Sequence, residues 1–503
     1  MNERAFLPLA IILALPLLAF DAGFLNTGPG LASAGLLIAA LIVAMRGVSA
    51  APPIDWRLMA PCLALGLLLI LISGAGHFFY QTDDWTIRDG LLADLARQPW
   101  PYAYEVDGKL QMLRAPLGLY LAPAAVGKLF GLMAADLAML AQNGTITGLV
   151  LYIFAREAGA RRGQMIILAV FVLFAGLDIV PTLGQLIRGD TFNPHPDSWS
   201  GLEYSAHMTL LFWVPNHALA GWSFAAAYVA WRRGALRLGH LGLFFALALF
   251  WSPLAAMGAL LLLLFAAVCA LRHGPFPWRE IPLAALAGLA ALPVFLFMTR
   301  GAGEVPSGFM SGSLFYALYG GLLLVDVVPP LVFVWQDIRY AKNARARWEF
   351  AIVAGAMVLF PFYSLGIGND FARRAIIPLM AVLAIAFAQA LLRTLETGFG
   401  TQRRWVIPVM VLAALNPAVE LMKNVIYPAT PFSTCNLLDA WQSGPDRDLP
   451  MSAYFSGPAG FAVPAGLFRP PAGEPVQAQG RHCWGDGKRP FIFGGPVLDS
   501  GVK

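Results

Sequence analysis

Charged side chains are scarce in this chain, and their scarcity indicates the solvent in which it folds. Asp, Glu, Lys and Arg make up 13% of the 503 residues, whereas 58% are hydrophobic, and the mean hydropathy is +0.66. Soluble domains carry about 25% charged residues. Together with repeated apolar runs of roughly 18 or more residues, this composition excludes an ordinary soluble protein and predicts an all-α polytopic membrane protein.

Several sequence motifs are also missing, and each absence removes a class of function. The chain has no phosphate-binding loop of the G-x-x-x-x-G-K-S type, which argues against nucleotide hydrolysis, and no closely spaced His, Cys and Glu set that predicts a zinc site. It has no internal sequence repeat of the kind found in many secondary transporters. The net charge of +5 requires no nucleic-acid partner, because basic residues are expected between membrane spans.

Cysteine is rare as well, with four residues in the chain. Cys62 and Cys269 lie in apolar runs, where a thiol is usually a small core residue. Cys435 and Cys483 lie in a Pro- and Gly-rich tail with little helical periodicity. If this tail is in an oxidising compartment, the two cysteines predict a disulfide, with two unpaired thiols as the alternative.

The apolar runs predict about thirteen membrane spans, the first of them retained and not cleaved as a signal peptide. They lie near 5–22, 30–46, 58–76, 136–155, 164–180, 207–231, 238–252, 253–271, 280–299, 315–335, 349–367, 374–393 and 404–422. Trp251-Ser-Pro253 separates two helices in the long run 238–271. Lys and Arg collect in alternate loops, which predicts a cytoplasmic N-terminus and, with an odd span count, an external C-terminus.

This topology divides the chain into three parts. Residues 1–57 form an N-terminal transmembrane hairpin, 58–422 a transmembrane catalytic domain with an external loop at 77–135, and 423–503 a small external tail. The apolar stretch 115–132 is not predicted to cross, because a crossing there would invert the charge pattern of all later loops. Residues 85–133 are instead predicted to form amphipathic or re-entrant helices on the bilayer surface.

Asp83 and Asp84 are the most informative polar residues, in the stretch Gln81-Thr-Asp-Asp-Trp-Thr-Ile-Arg-Asp89 directly after a span. Two adjacent carboxylates at the mouth of a span are costly unless they face water, a cation or a substrate. A helix N-cap near Trp85 explains one of them but not both. We therefore predict a functional role for at least one.

Arg373 and Arg374 begin a span on the side that is otherwise poor in positive charge. A bound anion such as a lipid phosphate would offset this placement, as would ordinary anionic headgroups. Asp370 could contribute to the same binding site, or it could simply pair with either arginine one helical turn away.

Two histidines stand out in the predicted external region. His195 lies between two prolines in a loop, and His217 follows Pro215 and Asn216 within a predicted span. A lone intramembrane histidine is most often a hydrogen-bonded core group. Because Pro215 frees a backbone carbonyl, however, Asn216 and His217 could line an aqueous cavity near the outer leaflet.

With these motifs the chain resembles the GT-C superfamily of membrane glycosyltransferases. The architectural resemblance lies in the acidic motif after a span, the membrane-surface helices of a long external loop, many further spans and an external C-terminal segment. The stretches that carry it are Asp94-Leu-Ala-Arg-Gln-Pro-Trp-Pro101, Gly118-Leu-Tyr-Leu-Ala-Pro123 with Gly127-Lys128, Trp213-Val-Pro-Asn-His217 and Asn369-Asp-Phe-Ala-Arg-Arg-Ala-Ile-Ile-Pro378. In the superfamily the acidic loop usually follows the first span, whereas here it follows the third. The usual later acidic motif has only the loose candidates Asp190, Asp197 and Glu203.

The resemblance implies an inverting transfer of a sugar from a polyprenyl-phosphate donor to a glycan, lipid or protein acceptor on the external face of a bacterial inner membrane. Asp84 or Asp83 would be the general base. Arg373, Arg374 and Lys128 would bind the phosphate, with Asp370, His217 and His195 as further binding residues. No cofactor is required, although a divalent ion held by Asp83 and Asp84 is an alternative.

Two other functions remain open at this stage. A transporter or flippase for lipid-linked saccharides would also explain intramembrane His and Arg, although no pair of Gly- or Pro-broken spans occurs in matching halves. An O-antigen polymerase or ligase would use the same type of donor, but usually depends on a large late external loop. In this chain the large late segment is the tail after the last span.

Overall fold

The chain folds into a bundle of helices with two small antiparallel sheets. The computed structural model describes residues 4–46, 53–190, 194–273, 276–300, 305–339, 343–366, 369–398, 400, 404–443, 454–457, 464–481 and 483.

The α-helices account for most of the described residues. They are α1 Phe6–Phe24, α2 Thr27–Met45, α3 Trp56–Ile72, α4 Asp84–Arg97, α5 Leu121–Phe130, α6 Leu132–Ala155, α7 Arg161–Val172, α8 Ile179–Ile187, α9 His207–Trp213, α10 Pro215–Arg232, α11 Leu238–Trp251, α12 Pro253–His273, α13 Ile281–Met298, α14 Ser313–Leu322, α15 Val328–Ile338, α16 Ala344–Leu359, α17 Asp370–Ala375, α18 Ile377–Thr397, α19 Val406–Ile426 and α20 Leu437–Ser443. A π-helical segment, Leu323–Val327, joins α14 to α15.

Eight helical segments in the described part of the chain are long and apolar enough to cross a membrane. They are Phe6–Phe24, Thr27–Met45, Leu132–Ala155, Pro253–Arg272, Trp278–Met298, Ser313–Ile338, Ile377–Thr397 and Val406–Ile426. The other five predicted spans overlap helices that are shorter or more polar: α3, α7, α9 with α10, α11, and α16. The chain is therefore a mostly helical membrane protein, and the count of thirteen spans stays a prediction.

Two helix breaks occur at prolines that the sequence singled out, Pro253 and Pro215. The run 238–271 is divided as predicted, because α11 ends at Trp251 and α12 begins at Pro253. In the run 207–231, Val214 has a non-helical ψ of 56°, so α9 ends and α10 begins at Pro215. A proline at the first helical position needs no N–H partner, which makes it a good helix start. Both breaks leave polar residues at helix ends, where they face a cavity described below.

Five short strands correct the all-α expectation in detail. They are β1 Tyr104–Val106, β2 Lys109–Leu113, β3 Ser307–Phe309, β4 Tyr363–Leu365 and β5 Phe455–Ser456. β1 and β2 form an antiparallel hairpin whose turn residues, Asp107 and Gly108, have φ values of +51° and +69°. An Asp-Gly pair with two positive φ angles favours such a turn. β3 pairs with β4, and β5 from the C-terminal tail pairs with β2, so the hairpin is completed by a distant part of the chain.

The loop 77–135, which the sequence predicts to be external, and the tail after α19 pack against each other. α20 lies so close to α4 that a Cβ on Gly90 would be 2.9 Å from the Asn436 carbonyl oxygen. The predicted disulfide is confirmed between Cys435 and Cys483, whose Cα atoms are 5.9 Å apart. The tail is therefore attached to the first loop and does not stand apart from it.

This packing buries polar side chains of α4, whereas its predicted position on the bilayer surface stays a prediction. The sequence places Arg88, Asp89 and Asp94 largely off the apolar face of an amphipathic helix on the bilayer, yet all three are buried. Different neighbours cover them: the Leu437 N–H at the start of α20 donates to Asp94 Oδ2 at 2.9 Å, Arg88 bonds to the Trp213 carbonyl, and Asp89 lies beside His77. A covering element more than 340 residues away in sequence is not visible in a local hydrophobic pattern.

Candidate functional site

Four of the residues singled out in the sequence line one cavity of about 360 Å³, which we call the Asp84 cavity. Asp84 comes from the start of α4, His217 from the start of α10, and Asp370 and Arg374 from α17. Other polar lining residues are Arg88, Arg114, Tyr120 and Asn216. Apolar side chains complete the wall, among them Ile87, Leu91, Leu254 and Met298. The volume lies in the range of small-molecule pockets, which run from about 300 to 1,000 Å³.

Asp84 is the carboxylate best placed to meet a ligand. Its side chain is 33% exposed, and Arg88, one turn further along α4, brings Nη2 to 3.3 Å from Asp84 Oδ2. The same Nη2 donates to the Trp213 carbonyl at 2.6 Å, which ties α4 to the break between α9 and α10. Asp84 is thus accessible while its neighbour is held in position.

Asp83 has a different environment. It occupies the N-cap position of α4, although its side chain does not accept the capping hydrogen bond. Its backbone carbonyl accepts from Thr86 N at 3.2 Å, and it is not among the residues that line the cavity. Of the two adjacent carboxylates, the structure brings Asp84 to the other candidate residues.

A loosely paired arginine faces Asp84 across the cavity. Arg374 Nε is 3.6 Å from Asp370 Oδ1, longer than a close charge-assisted hydrogen bond of about 2.7–2.9 Å. Burial raises the pKa of Asp370, although Arg374 and Arg373 pull it down, and the nearby charge of Asp84 adds to the rise. The cavity therefore contains both charge signs within electrostatic range of one another. Its cationic side can still take an anionic ligand.

His217 is held by Ser252, which lies in the break between α11 and α12. Its Nδ1 is 2.6 Å from Ser252 Oγ, and that hydroxyl also accepts from Ala255 N at 3.0 Å at the start of α12. Asn216 Nδ2 lies 3.4 Å from the Trp251 carbonyl. Non-helical backbone within a membrane protein is tolerated where it is buried in protein or lines a cavity, and both broken helices meet that condition here.

Three of the predicted binding residues lie outside the cavity lining. Arg373 donates from Nη2 to the Gly201 carbonyl at 2.6 Å and has Nε 3.8 Å from Glu203 Oε1. Lys128 bonds to the Gln98 carbonyl and lies 4.8 Å from the centre of the Trp100 ring. His195 bonds to Glu420, whose other oxygen accepts from Lys423 Nζ at 2.6 Å.

His195 is nevertheless linked to the cavity through Trp213. The two rings stack with centroids 4.4 Å apart, and the Trp213 carbonyl is the one that holds Arg88. Burial acts to lower the pKa of His195, but the carboxylate of Glu420 reverses this effect and raises it. His195 can therefore hold Trp213, and through it Arg88, while not itself lining the cavity.

The later acidic candidates are dispersed. Asp197 is buried and accepts from Ala206 N at 3.0 Å, and burial raises its pKa to about 6. Glu203 faces Arg373, and Asp190 is exposed. None of these three lines the Asp84 cavity.

Sequence reasoning missed Arg88, Arg114 and Tyr120 as cavity residues. Arg88 carries a local signal, because it follows Asp84 by four residues on one helix. Arg114 has no such signal: it reaches the cavity because its backbone N–H donates to the Tyr454 carbonyl at 2.7 Å, next to β5. Burial raises the pKa of Tyr120 to about 12, so it enters the cavity as a neutral phenol.

A grouping suited to a metal ion occurs in the described residues, but it does not include Asp83 or Asp84. It consists of His77, Asp89 and Asp136, whose ligand atoms lie within 4.8 Å of one another. Asp89 follows Asp84 by five residues, so at about 100° per residue it points to a different side of α4.

Comparison with known proteins adds little to this geometry. No family model matches the chain, and no curated protein matches it in sequence. Among solved structures, the cryo-EM structure of the arabinofuranosyltransferase AftD from Mycobacteria is similar, at 18% identity and a TM-score of 0.34. The match covers 74% of this chain and 27% of AftD, so the chain spans about a quarter of that protein's length. A likeness at this score shows neither a shared fold nor a shared function. The chain is a helix-rich membrane protein with a charged cavity between its helices.

Proposed function

We propose that the chain is an inverting membrane glycosyltransferase of the GT-C type that uses a polyprenyl-phosphate-linked sugar as donor. The observation that carries the proposal is the Asp84 cavity. It combines an accessible carboxylate, arginines on the facing wall, and an apolar wall at the ends of membrane-spanning helices. These are the three things that a transfer from a lipid-linked phosphate requires.

The proposed reaction is a single displacement. The hydroxyl oxygen of the acceptor attacks the anomeric carbon of the sugar, and Asp84 accepts the proton that this hydroxyl loses. The bond from that carbon to the phosphate oxygen breaks at the same time, and polyprenyl phosphate leaves with the bonding electron pair. Arg374 and Arg114 stabilise the negative charge that grows on the leaving phosphate, and fixed cations at such a position stabilise the transition state more than the ground state.

The apolar wall provides a path for the lipid part of the donor. Leu254 and Met298 line the cavity near the ends of α12 and α13, two of the helices that can cross a membrane. The polyprenyl chain would leave the cavity there and enter the lipid between helices. The acceptor, whether a glycan, a lipid or a protein, would approach from the side formed by α20 and β5.

The proposed orientation follows from the distribution of basic residues. The N-terminus would be cytoplasmic, and the Asp84 cavity with the C-terminal tail would face the periplasm of a bacterial inner membrane. Reporter fusions after Lys503 and after Arg162 should behave as external and cytoplasmic, respectively. A cytoplasmic signal from the C-terminal fusion would contradict this arrangement and the side assigned to the cavity.

The proposal is tested most directly by donor turnover in a reconstituted system. The purified chain, reconstituted in sealed lipid vesicles, would be given a set of polyprenyl-phosphate sugars with radiolabelled sugar, and the release of polyprenyl phosphate would be followed. We expect release that requires Asp84, together with photo-crosslinking of a polyprenyl-phosphate probe to residues of the Asp84 cavity.

A transporter or flippase predicts a different result from the same vesicles. It would move the labelled donor across the bilayer with its glycosyl bond intact. Movement without bond cleavage, and unchanged by Asp84→Asn, would reject the transferase proposal and favour transport. Crosslinks outside the cavity would contradict the assigned binding residues.

A further inference from the structure

His77, Asp89 and Asp136 form a buried group of three side chains that the transferase proposal does not use. His77 follows the end of α3, Asp89 is on α4, and Asp136 is near the start of α6. Their side chains are 6%, 7% and 9% exposed. Three segments of the chain thus each bring one possible metal ligand to the same small space.

The separations within the group leave room for an ion. His77 Nε2 is 3.7 Å from Asp89 Oδ2 and 4.0 Å from Asp136 Oδ2. Both distances are too long for a direct hydrogen bond, which would bring the heavy atoms to about 2.7–3.2 Å. Around a tetrahedral metal with bonds of about 2.0–2.2 Å, neighbouring ligand atoms are roughly 3.4 Å apart. The two distances from His77 are thus within a few tenths of an ångström of those around an ion, and all the ligand atoms lie within 4.8 Å of one another.

The other ring nitrogen of His77 is already held in the way that metal-binding histidines are held. Nδ1 lies 3.2 Å from the Thr430 carbonyl and donates its proton there, which leaves the lone pair on Nε2 facing the two carboxylates. A backbone carbonyl on the far nitrogen is a common outer partner of a histidine ligand, because it fixes both the tautomer and the ring plane. The Phe432 ring, with its centroid 5.3 Å from that of His77, packs against the imidazole.

The backbone of His77 is also unusual. Its φ is +63°, a left-handed conformation that few residues other than glycine adopt. Such conformations are strained and persist where the surroundings hold them in place. At this position the conformation turns the imidazole toward Asp89 and Asp136.

Burial makes the charged form of both aspartates costly in the absence of a cation. Burial, together with the neighbouring Asp136, holds the pKa of Asp89 well above its usual range, although Gln81 and Arg88 act in the opposite direction. Burial likewise lowers the pKa of His77. A divalent cation would neutralise the two carboxylates, and its binding would release protons from the group.

We propose that His77, Asp89 and Asp136 bind one divalent transition-metal ion, with Zn²⁺ as the representative species. One imidazole nitrogen and two carboxylate oxygens suit such an ion better than Mg²⁺ or Ca²⁺, which take oxygen ligands. The ion would join α4 and α6 through their carboxylates and, through the bond from His77 to Thr430, the tail after α19. Its role would be structural: it would fix the loop that carries Asp84 without contacting the reacting groups.

Metal content is the first test. The full chain, purified without an affinity-tag histidine run and stripped with a chelator, would be dialysed against Zn²⁺ and analysed by mass spectrometry for bound metal. We expect one Zn²⁺ per chain in the wild type. His77→Asn, which tolerates the positive φ, and Asp136→Asn should bind roughly 10- to 100-fold more weakly, or not measurably.

Asp84→Asn is the matched control, because it changes an aspartate on the same helix that is outside the group. It should lose transfer and keep the metal, so that a failure of the transferase proposal and a failure of this one give different results. Equal Zn²⁺ content in the wild type and in both ligand variants would overturn the metal site. So would a wild type that retains none.

A spectroscopic measurement on the wild type alone covers the case in which the ligand variants do not fold. Co²⁺ bound by one imidazole and two carboxylates should give visible d–d absorption bands that one equivalent of Zn²⁺ removes. A Co²⁺ titration without such bands would reject the site even if no variant could be purified. The thermal midpoint of the wild type should also rise on adding Zn²⁺ after stripping, whereas an unchanged midpoint would contradict the structural role.

Discussion

Arginines and carboxylates from several helices lie near both ends of α10, but the distances between opposite charges differ at the two ends. We call them the Arg232 end and the His217 end. At the Arg232 end, Arg232 Nη1 is 2.8 Å from Glu349 Oε1 and Arg233 Nη1 is 2.7 Å from Glu157 Oε1. At the His217 end, Arg374 Nε is 3.6 Å from Asp370 and Arg88 Nη2 is 3.3 Å from Asp84. The first set of charges is closely paired, and the second is not.

Cavity size alone does not separate the two ends. The cavity at the Arg232 end has about 510 Å³ and is the larger of the two. Its cations, however, already bond to carboxylates at short distance, and displacing one would leave a buried charge without its partner. At the His217 end the longer separations leave donor capacity for an anionic ligand. The comparison therefore assigns structure to one end and ligand binding to the other.

The largest effect is expected from Asp84→Asn. The change keeps the shape of the side chain and removes its ability to accept a proton, and general-base catalysis contributes about 10²–10⁴-fold. Transfer should fall by that factor while donor binding is kept, as measured by turnover and by lipid crosslinking on the same preparation. Asp337→Asn, at the Arg232 end beside Arg393, is the matched control and should retain transfer. Full activity of Asp84→Asn together with Asp83→Asn would make the first external loop structural.

The next largest effect is on stability and belongs to the Arg232 end. Glu349 accepts from Tyr228 Oη and from Arg232 Nη1, both at 2.8 Å, and its side chain is 7% exposed. Glu349→Gln removes the charge and should destabilise the fold toward the lower end of about 3–5 kcal/mol, because Arg232 is 20% exposed and keeps Glu157 nearby. Thermal inactivation of the purified variant should occur at a clearly lower temperature. Asp370→Asn should lower it less, and the reverse order would contradict the contrast between the two ends.

Only part of this comparison between the two ends of α10 could be predicted from the sequence. The helical membrane character, the helix break at Ser252 and the disulfide could be predicted, because apolar length, proline and cysteine content are read directly from the sequence. Asp84, His217, Asp370 and Arg374 were singled out because charge or proline near an apolar run is costly. Their meeting in one cavity depends on bonds from Trp85 and Arg88 of α4 to the Phe212 and Trp213 carbonyls at the end of α9, which no local pattern contains. For the same reason, the sequence could not show that Arg374 lines the cavity while Arg373 bonds to the Gly201 carbonyl outside it.

Arg374→Ala tests the ligand-binding side of the comparison with a smaller effect. A hydrogen bond to a charged group contributes about 1.5–3 kcal/mol, so polyprenyl-phosphate affinity should fall roughly 10- to 100-fold. The measurement is competition of unlabelled polyprenyl phosphate against the crosslinking probe. Arg373→Ala should weaken binding less, because its Nη2 already bonds to the Gly201 carbonyl. Arg393→Ala at the other end should leave binding unchanged, and equal losses in all three would remove the distinction between the ends.

The smallest effect is a pH dependence of the contact between α4 and α20. Burial raises the pKa of Asp94 from 3.8 to about 7, although the Leu437 N–H, the Tyr104 hydroxyl and Arg97 lower it, and Asp439 raises it further. Because the folded state holds the proton more tightly than the unfolded state, this group stabilises the fold most below pH 3.8. That contribution declines as the pH rises toward about 7 and stays lost above it.

Asp94→Asn should remove this pH dependence. The amide oxygen can still accept from the Leu437 N–H and the Tyr104 hydroxyl, both near 3.0 Å in the wild type, and the side chain stays neutral at every pH. Limited proteolysis of the tail at pH 5, 6, 7 and 8 measures the effect. Wild-type cleavage should increase toward pH 7, whereas the variant should remain nearly constant and be the more resistant of the two at pH 8. Asp107→Asn, on the exposed hairpin turn, should follow the wild type, because its carboxylate is in solvent in both states. A variant that is cleaved faster than the wild type at pH 8 would show that the ionised carboxylate holds α20 in place, and the sign of the argument would then be reversed.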